Sequence, residues 1–571
     1  MPRRRINRAA RWTVAALLAA CSSPPAAAPA PGGALAAAES LYLDLSDLRD
    51  RIDVAGSAGR AAARDGTPGP ALTRRHNELR RALVTRLGAV DSSALRGDDA
   101  RAFAAMRVAL GRGLAALSDS ASAGSLPAPR RPDCEFDPAA IAATRNGLDS
   151  LRNRLYACYG WAQSHVAIGT DTMDRLSVLG ALGRTGDPAE RRRLFLSLEP
   201  VWRSVNAGNG GDSPYRRLIA LQVKAQPRGE PPAARQARLS GVPPDSLERW
   251  LVAILETWRD ANPDSVIEPW DWYYRTGRAG RVLGGRVSRE RLTQLNGEVY
   301  RALGADLTAL NVKYDLDPRE GKTPVAFCTF GARPRFRDGG WTPGEPSVFA
   351  TYHGGGFDNL AELLHETGHA VHIAAIRTRP AFADWPDSDP FTEAIADFVA
   401  LDVTEPAWQQ HWLGDSVPLA DGLRARYGGI VPDIAWSLLE LHLLRDPSAD
   451  PNQVWTRLTH DYLRIRPHPE LSWWAMRGQL VDSPGYMMNY AVGAILIAAV
   501  RARTAEVHGP FVTGDDTWYG WVSRELLRFG LERPSGEVIE EFLGGPVTPA
   551  ALLADMRRMK KAEGGHLARP R

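Results

Sequence analysis

Histidine and cysteine are both scarce in this chain, which has 12 histidines and 4 cysteines among its 571 residues. No two cysteines have the C-x-x-C spacing, so we do not expect a zinc site built from thiolates. No G-x-S-x-G sequence occurs either, and this absence argues against a serine hydrolase. Metal or hydrolytic chemistry, if present, has to come from the few histidines and from carboxylates.

The chain also has little net charge and few long apolar runs. The formal charge is only +4, and outside the N-terminus basic and acidic residues are mixed. We therefore expect no nucleic-acid partner, and no protein partner is predicted. After the N-terminus no uncharged apolar run reaches the roughly 20 residues that a membrane-spanning helix needs. The apolar run at 491–500 is typical of a buried helix.

The N-terminus has the pattern of an export signal. Arginine-rich MPRRRINRAAR precedes the short apolar run WTVAALLAA, and LAAC at 18–21 resembles a bacterial lipoprotein box. We predict a signal peptide at 1–21, lipidation of Cys21 and a Pro/Ala-rich tether at 22–40. The protein would then be lipid-anchored in the bacterial cell envelope, on the periplasmic side or the outer surface. The alternative is an ordinary cleaved signal.

Lipidation of Cys21 would leave three cysteines, and an exported protein permits a disulfide between two of them. We favour Cys134 with Cys158, but the sequence leaves all three pairings of Cys134, Cys158 and Cys328 open. One thiol remains free in each case.

Apolar spacing predicts a mostly all-α fold. Apolar residues recur three and four apart from about 41 to 260 and again from 358 to the end. The stretch 318–356 has few helix formers and could hold two or three short strands. We predict one helical domain, 41–571, with a small β-sheet next to a helix over 358–376.

That helix contains LLHETGHAVH, the H-E-x-x-H arrangement of metallopeptidases. His365 and His369 are four residues apart, so both imidazoles project from one helix face and can bind one Zn²⁺. Glu366 can reach a water at the metal and act as general base. Asp358 is the predicted N-cap, and Gly368 would let a neighbouring backbone or a substrate approach. His372 continues the helix and is predicted to be structural.

A third ligand is predicted in SDPFTEAIADFVALD, a second helix with Asp389 as its N-cap. Glu393 lies 24 residues after His369, far enough for the chain to turn back. It would complete a His₂Glu site with an open position for catalysis. Asp397, on the same helix face, could accept the free N–H of a ligating histidine.

HETGH followed by EAIADFVAL resembles the angiotensin-converting-enzyme family of peptidyl-dipeptidases. FLGGPVTPAALL at 542–553 is also similar to that family. HETGHAVH, EPWDWYY at 268–274 and PREGKTPVAFC at 318–328 resemble the related thimet oligopeptidase and oligopeptidase F family. The resemblance covers most of residues 60–560. It implies a large helical ellipsoid with a deep central channel, zinc at its floor and an oxyanion-stabilising tyrosine, which is Tyr490 or, as runner-up, Tyr486.

The chain departs from the converting-enzyme pattern at three places. Leu480 stands where that family has a transition-state histidine, and His468 is further upstream. Asn489 replaces the basic residue tied to chloride. The residues that bind a substrate's C-terminal carboxylate cannot be placed. HGGG at 353–356, which is similar to an esterase oxyanion loop, is predicted to be a flexible rim of the channel.

The sequence therefore predicts a lipid-anchored zinc metallopeptidase with short peptides as substrates and Zn²⁺ as cofactor. Release of C-terminal dipeptides is the preferred mode, and internal cleavage of short peptides is the alternative. A catalytically inactive peptide-binding lipoprotein is the third reading, which the missing histidine favours and Glu366 opposes.

Overall fold

The computed structural model describes residues 33–57, 69–111, 113–117, 131–225, 231–262, 266–319, 322–323, 325–337 and 340–567. The predicted signal peptide with Cys21, and residues 22–32 of the predicted tether, lie outside these described residues. Residues 34–40, assigned to the tether by composition, form the first turns of a helix in which Leu35 and Ala38 are buried. Their alanine-rich composition suits a helix.

The described chain is mostly α-helical, as predicted. The first fourteen helices are α1 (Ala34–Ser57), α2 (Gly69–Gly88), α3 (Gly97–Gly111), α4 (Pro138–Ala142), α5 (Gly147–Ser164), α6 (Arg175–Arg184), α7 (Pro188–Leu196), α8 (Glu199–Asn206), α9 (Pro214–Ala225), α10 (Pro232–Leu239), α11 (Pro244–Ala261), α12 (Trp272–Thr276), α13 (Arg278–Leu283) and α14 (Arg289–Ala302). The remaining ten are α15 (Phe357–Ala375), α16 (Asp389–Ala400), α17 (Pro406–Leu413), α18 (Leu419–Arg445), α19 (Pro451–Leu463), α20 (Gln479–Asp482), α21 (Met487–Val507), α22 (Trp518–Val522), α23 (Ser535–Leu543) and α24 (Ala550–Leu567). No helix in the described part of the chain is both long and apolar enough to cross a membrane.

Seven short strands accompany the helices in the described residues: β1 (Val166–Ile168), β2 (Asp171–Met173), β3 (Lys313–Asp315), β4 (Phe327–Thr329), β5 (Arg335–Arg337), β6 (Gly340–Thr342) and β7 (Ser347–Phe349). One sheet has the order β3-β7-β4, with β3 parallel and β4 antiparallel to β7. Because β4 and β7 pack against α15, the small sheet predicted beside the histidine helix is confirmed. The β1–β2 hairpin was not predicted, since strands of three residues are too short to show alternation.

A buried lysine holds this sheet in place. The Nζ of Lys322 donates to the carbonyl oxygens of Asp315 at 2.8 Å and Asp317 at 3.0 Å, and to the Asp315 carboxylate at 3.1 Å. It also donates to the carbonyl of Ala350, just after β7. These bonds satisfy the buried charge and tie the ends of β3 and β7 together.

Most helices share one continuous apolar core, and α1–α3 form a second, smaller core with Ala381 and Phe382. Ion pairs join α1 to the main body: the buried Arg333 binds Asp50 at 2.6 Å and Asp384 at 3.1 Å.

Cys134 and Cys158 form a disulfide and Cys328 is a free thiol, so the favoured pairing is confirmed.

Candidate metal centre

The helices α15 and α16 cross closely because residue 368 is glycine. A Cβ atom on Gly368 would lie 2.4 Å from the carbonyl oxygen of Ala396 and 2.8 Å from its Cα. A close-packed interior has no room for such an overlap. The two backbones therefore touch, which is the first of the two alternatives that the sequence left for Gly368, and the histidines of α15 come within reach of the carboxylates of α16.

The starts of both helices differ by one or two residues from the predictions. Gly356, with φ of 120°, precedes α15, and Asp358 lies inside the first turn without capping it. The N-cap of α16 is Ser388, whose buried Oγ accepts the N–H of Phe391 at 3.3 Å. Asp389 is therefore the first residue of the helix, and its carboxylate accepts hydrogen bonds from Nε2 of Gln236 at 3.3 Å and Nδ2 of Asn489 at 3.5 Å at the edge of the cavity described below.

The potential metal ligands are two histidines of α15 and one glutamate of α16. The ring centroids of His365 and His369 lie 4.9 Å apart. Glu393 faces them, with its Oε2 3.7 Å from Nε2 of His365. One ligand atom from each residue lies within 4.8 Å of the other two. This group can hold a metal ion, and it consists of the three residues predicted as ligands.

Asp397 fixes the orientation of His365. Its Oδ1 lies 2.7 Å from Nδ1 of the imidazole, so Nδ1 carries a proton, and Nε2, 3.7 Å from Oε2 of Glu393, is the nitrogen that a metal ion could take in place of a proton. Burial lowers the pKa of His365, but Asp397, together with Glu366 and Glu393, outweighs burial and raises it to about 10. The site therefore favours a positive charge at this position, and a bound cation would supply one.

His369 is kept neutral, as a metal ligand must be. Burial, followed by the proximity of His365, lowers its pKa well below the usual value. Its Nδ1 is buried and has no hydrogen-bond partner among the described residues. The edge of its ring meets Trp385, with the centroids 5.6 Å apart. Both histidines therefore fit a metal ion through one ring nitrogen each.

A cavity of about 530 Å³ opens over this group. Its lining comes from the sheet, from the segment between α15 and α16, and from α15, α16, α18 and α21. The lining residues are Ala326, Phe327, Cys328, Glu362, His365, Glu366, His369, Trp385, Asp389, Thr392, Glu393, Ala394, Asp397, Ile430, Asp433, Tyr486, Tyr490, Gly493 and Ala494. The cavity thus contains every residue that the sequence predicted for ligation and catalysis.

Glu366 is buried beside the ligands without being one of them. It is 6% exposed, and its Oε2 has no hydrogen-bond partner in the described part of the chain. Burial raises the pKa of Glu366 to about 7, although the nearby His365 lowers it. A carboxyl group with this pKa can both accept and release a proton near neutral pH.

Tyr486 and Tyr490 both reach the cavity from the start of α21, with ring centroids 5.7 Å apart. Burial, and next the proximity of Glu393, raises the pKa of both phenols. Both hydroxyls therefore stay protonated at neutral pH and can donate hydrogen bonds. Gln479 contacts one of them, donating from Nε2 to the Tyr490 hydroxyl oxygen at 3.1 Å.

Two other predicted positions prove to be remote or structural. His468 binds Glu470 at 2.7 Å and Glu268 at 2.9 Å and does not line the cavity. His372 is buried, its ring close to Trp385, and burial lowers its pKa to about 3, as expected for a structural histidine.

The glycines at 354–356 do not line the cavity, so the structure does not support the prediction that they form a flexible channel rim. A Cβ on Gly355 would lie 2.0 Å from the carbonyl oxygen of Val287, and Gly356 donates its N–H to the same oxygen at 2.9 Å. These residues pack the start of α15 against the segment before α14.

Sequence reasoning missed three residues beside the tyrosines. Leu480, at the position expected for histidine, is fully buried, whereas its neighbour Gln479 contacts Tyr490. Arg477 pairs with Asp433 of the cavity wall. Glu440 binds the backbone around Tyr486. No local motif marks these contacts: those of Arg477 and Glu440 span 44 and 45 residues, and that of Gln479 joins the separate helices α20 and α21.

Comparison with known protein families and with curated proteins finds no family model and no curated relative that matches this chain.

Proposed function

We propose that this chain is a zinc-dependent peptidase that hydrolyses short peptides, with His365, His369 and Glu393 as the zinc ligands. The observation that carries the proposal is Glu366, a buried carboxylate that lines the same cavity and has an oxygen without a partner among the described residues. Leaving a polar group buried and unpaired is costly. A site that only stored metal would have no use for such a group.

Zinc is the metal that this donor set fits best. Two imidazoles and one carboxylate are the protein ligands of a common class of catalytic zinc sites, which keep one position open. The surrounding carboxylates raise the pKa of His365, and Nδ1 of His369 has no hydrogen-bond partner among the described residues. Both features fit a site in which a bound cation would balance the carboxylates. A bound Zn²⁺ would polarise the scissile carbonyl and lower the pKa of water near it.

The chain's own residues would supply the remaining chemistry. Glu366 would accept a proton from the attacking water and pass it to the leaving amine. The hydroxyl of Tyr490 would donate a hydrogen bond to the carbonyl oxygen as negative charge develops there, and Tyr486 is the second candidate for this role. Asp397 would hold His365 in the tautomer that binds through Nε2.

The cavity supports peptides over folded proteins as substrates. Its volume of about 530 Å³ lies in the range typical of small-molecule sites. The resemblance to converting enzymes favours release of C-terminal dipeptides. However, none of the lining residues in the described chain is lysine or arginine, so the lining lacks the side chains that most often bind a free C-terminal carboxylate. This feature favours the alternative, internal cleavage of short peptides.

The N-terminal sequence supports a location in the bacterial cell envelope, with a lipid on Cys21 as the only membrane attachment. Short peptides produced there would be the substrates.

The test is hydrolysis of one peptide, prepared with a free and with an amidated C-terminus, by the purified full-length chain. Products are read by mass, with and without a zinc chelator, and zinc is measured in the protein. Chelator-sensitive loss of dipeptides from the free acid alone would mean a peptidyl-dipeptidase. Equal internal cleavage of both peptides would mean an oligopeptidase.

Binding of the peptide without cleavage of either form would overturn the proposal in favour of an inactive binding protein. The His365→Ala variant tests whether this residue is a zinc ligand. His365→Ala should lose both zinc and hydrolysis, because it removes a ligand.

A further inference from the structure

The Tyr490 hydroxyl is held by a hydrogen bond that leaves its own hydrogen free. Gln479 donates from Nε2 to this oxygen at 3.1 Å, and no other hydrogen bond to it occurs among the described residues. A phenol has one hydrogen to donate. Since its oxygen is already used as an acceptor by Gln479, the hydrogen is available to a group in the cavity.

The three residues before Gln479 are held by contacts with the rest of the fold. A Cβ on Gly478 would lie 2.7 Å from the Tyr159 ring, so the backbone packs directly on that ring. The Tyr159 hydroxyl donates to the carbonyl of Met476 at 2.7 Å. Arg477 pairs with Asp433, and its guanidinium lies 4.9 Å from the centre of the Trp436 ring and 5.8 Å from that of Tyr490.

The segment that carries the tyrosine is fixed separately. Glu440 of α18 is 2% exposed, and its two carboxylate oxygens accept the N–H groups of Gly485 at 2.7 Å and Met487 at 2.9 Å. These groups flank Tyr486 at the start of α21. Because independent contacts place both partners, the bond between Gln479 and Tyr490 forms without further ordering of either side chain.

We propose that Gln479 is a positioning residue that keeps the hydroxyl hydrogen of Tyr490 directed into the cavity, toward the oxygen of the scissile carbonyl. This inference rests on the proposed peptidase function. It also selects Tyr490 over Tyr486 as the donor. Unlike a histidine, the amide of Gln479 stays neutral throughout the working pH range, so its contribution does not depend on pH.

The experiment compares Gln479→Met, Gln479→Glu and Tyr490→Phe in the full-length chain with the same peptide. Methionine has similar length and cannot donate, and we expect a loss of about tenfold in kcat with KM unchanged. A carboxylate can only accept, so Gln479→Glu would capture the Tyr490 hydrogen. That variant should lose more activity than Gln479→Met, close to the roughly 100- to 1,000-fold loss expected for Tyr490→Phe.

The double variant provides the readout that a purely structural role would not produce. If Gln479 acts through the hydroxyl, Gln479→Met should cause no further loss in the Tyr490→Phe background. Gln410→Met and Gln410→Glu, at an exposed glutamine of α17, are the matched controls and should have wild-type kcat. Zinc content and circular dichroism verify that each variant is folded and loaded.

Two results would overturn this inference alone: the same fold-loss for Gln479→Met with and without the Tyr490 hydroxyl, or wild-type kcat for Gln479→Glu. Absence of chelator-sensitive hydrolysis by the unaltered chain would overturn the proposed function and this inference together.

Discussion

Nδ1 of His365 and Oδ1 of Asp397 lie 2.7 Å apart, and this bond joins the two helices that carry all three potential metal ligands. The Asp397→Asn variant would weaken the bond and free the imidazole to change tautomer. We expect metal affinity to fall about 10- to 100-fold. Competition with a chromophoric chelator measures this loss. Asp260→Asn, at an exposed site on α11, is the control, and equal affinities for the two variants would contradict the role of Asp397.

Glu366→Gln tests the role of the buried carboxylate as a base. The amide has nearly the same shape but cannot accept a proton, so we expect hydrolysis to fall below detection while zinc content stays at one ion per chain. Metal analysis and a product assay on the same preparation measure both properties. Glu256→Gln, at an exposed position of α11, should leave both unchanged. Hydrolysis that survives Glu366→Gln would show that another group acts as the base.

Gly368→Ala tests the contact between α15 and α16. The new methyl group would lie 2.4 Å from the Ala396 carbonyl oxygen, so the helices must separate. We expect the free energy of unfolding to fall by about 1–3 kcal/mol and metal affinity to fall with it. Gly297→Ala on α14 is a matched control, because its Cβ would have nothing within 4 Å. There the better helix propensity of alanine should stabilise the protein by up to about 1 kcal/mol.

The clustering of the potential metal ligands could be predicted from the sequence because each pair of residues lies within one helix. The spacing of His365 to His369 and of Glu393 to Asp397 is four residues, and helical geometry alone places each pair on one face. The two pairs come together if the chain turns back after α15 so that α16 packs against it. The predicted helix starts were less accurate. Gly356, and not Asp358, precedes α15, and Ser388, and not Asp389, is the N-cap of α16; local backbone geometry sets both starts.

The supports of the tyrosines could not be predicted. Glu440 lies 45 residues before Gly485, and only the packing of α18 against α21 brings the two together. The resemblance to the converting-enzyme family points to Leu480, but the side chain that contacts Tyr490 is that of Gln479, one residue earlier. The short helix at 479–482 determines which of the two side chains faces Tyr490. Such contacts depend on tertiary structure and have no periodicity in the sequence.

Glu440 gives the protein a specific pH dependence of stability. Burial raises its pKa to about 8 in the folded state, although the N–H groups of Gly485 and Met487 lower it. An unfolded glutamate has a pKa of about 4.3. The folded state therefore holds this proton more tightly than the unfolded state. The contribution is most favourable below about pH 4 and is lost as pH rises toward 8.

We therefore expect Glu440→Gln to remove part of this pH dependence. At pH 5 the variant should be less stable by about 1–3 kcal/mol, because its amide N–H₂ faces one of the backbone N–H groups. The difference from the unaltered chain should shrink and then change sign as pH rises toward 9, because the unaltered chain loses about 1.4 kcal/mol per pH unit between 5 and 8. Urea unfolding at several pH values measures it, with Glu525→Gln as the exposed control. A difference that is constant with pH would show that Glu440 does not titrate in this range.

The charge of the cavity predicts a preference among substrates. Six carboxylates line it, and no lysine or arginine does so within the described chain; the carboxylates are Glu362, Glu366, Asp389, Glu393, Asp397 and Asp433. A bound Zn²⁺ would balance two charges, and Arg477 balances Asp433. The remaining negative potential should attract basic peptides.

Three peptides that differ only in one residue beside the scissile bond test this preference. We expect kcat/KM to fall in the order lysine, leucine, glutamate, and the spread to narrow as ionic strength rises, because salt screens the field of the cavity. Asp389→Asn should reduce the advantage of the lysine peptide and leave the leucine peptide unchanged, since Asp389 faces the cavity but is not one of the potential ligands. Equal rates for the lysine and glutamate peptides at low salt would mean that the bound metal and the paired arginine neutralise the cavity, and substrate choice would then have to come from its shape.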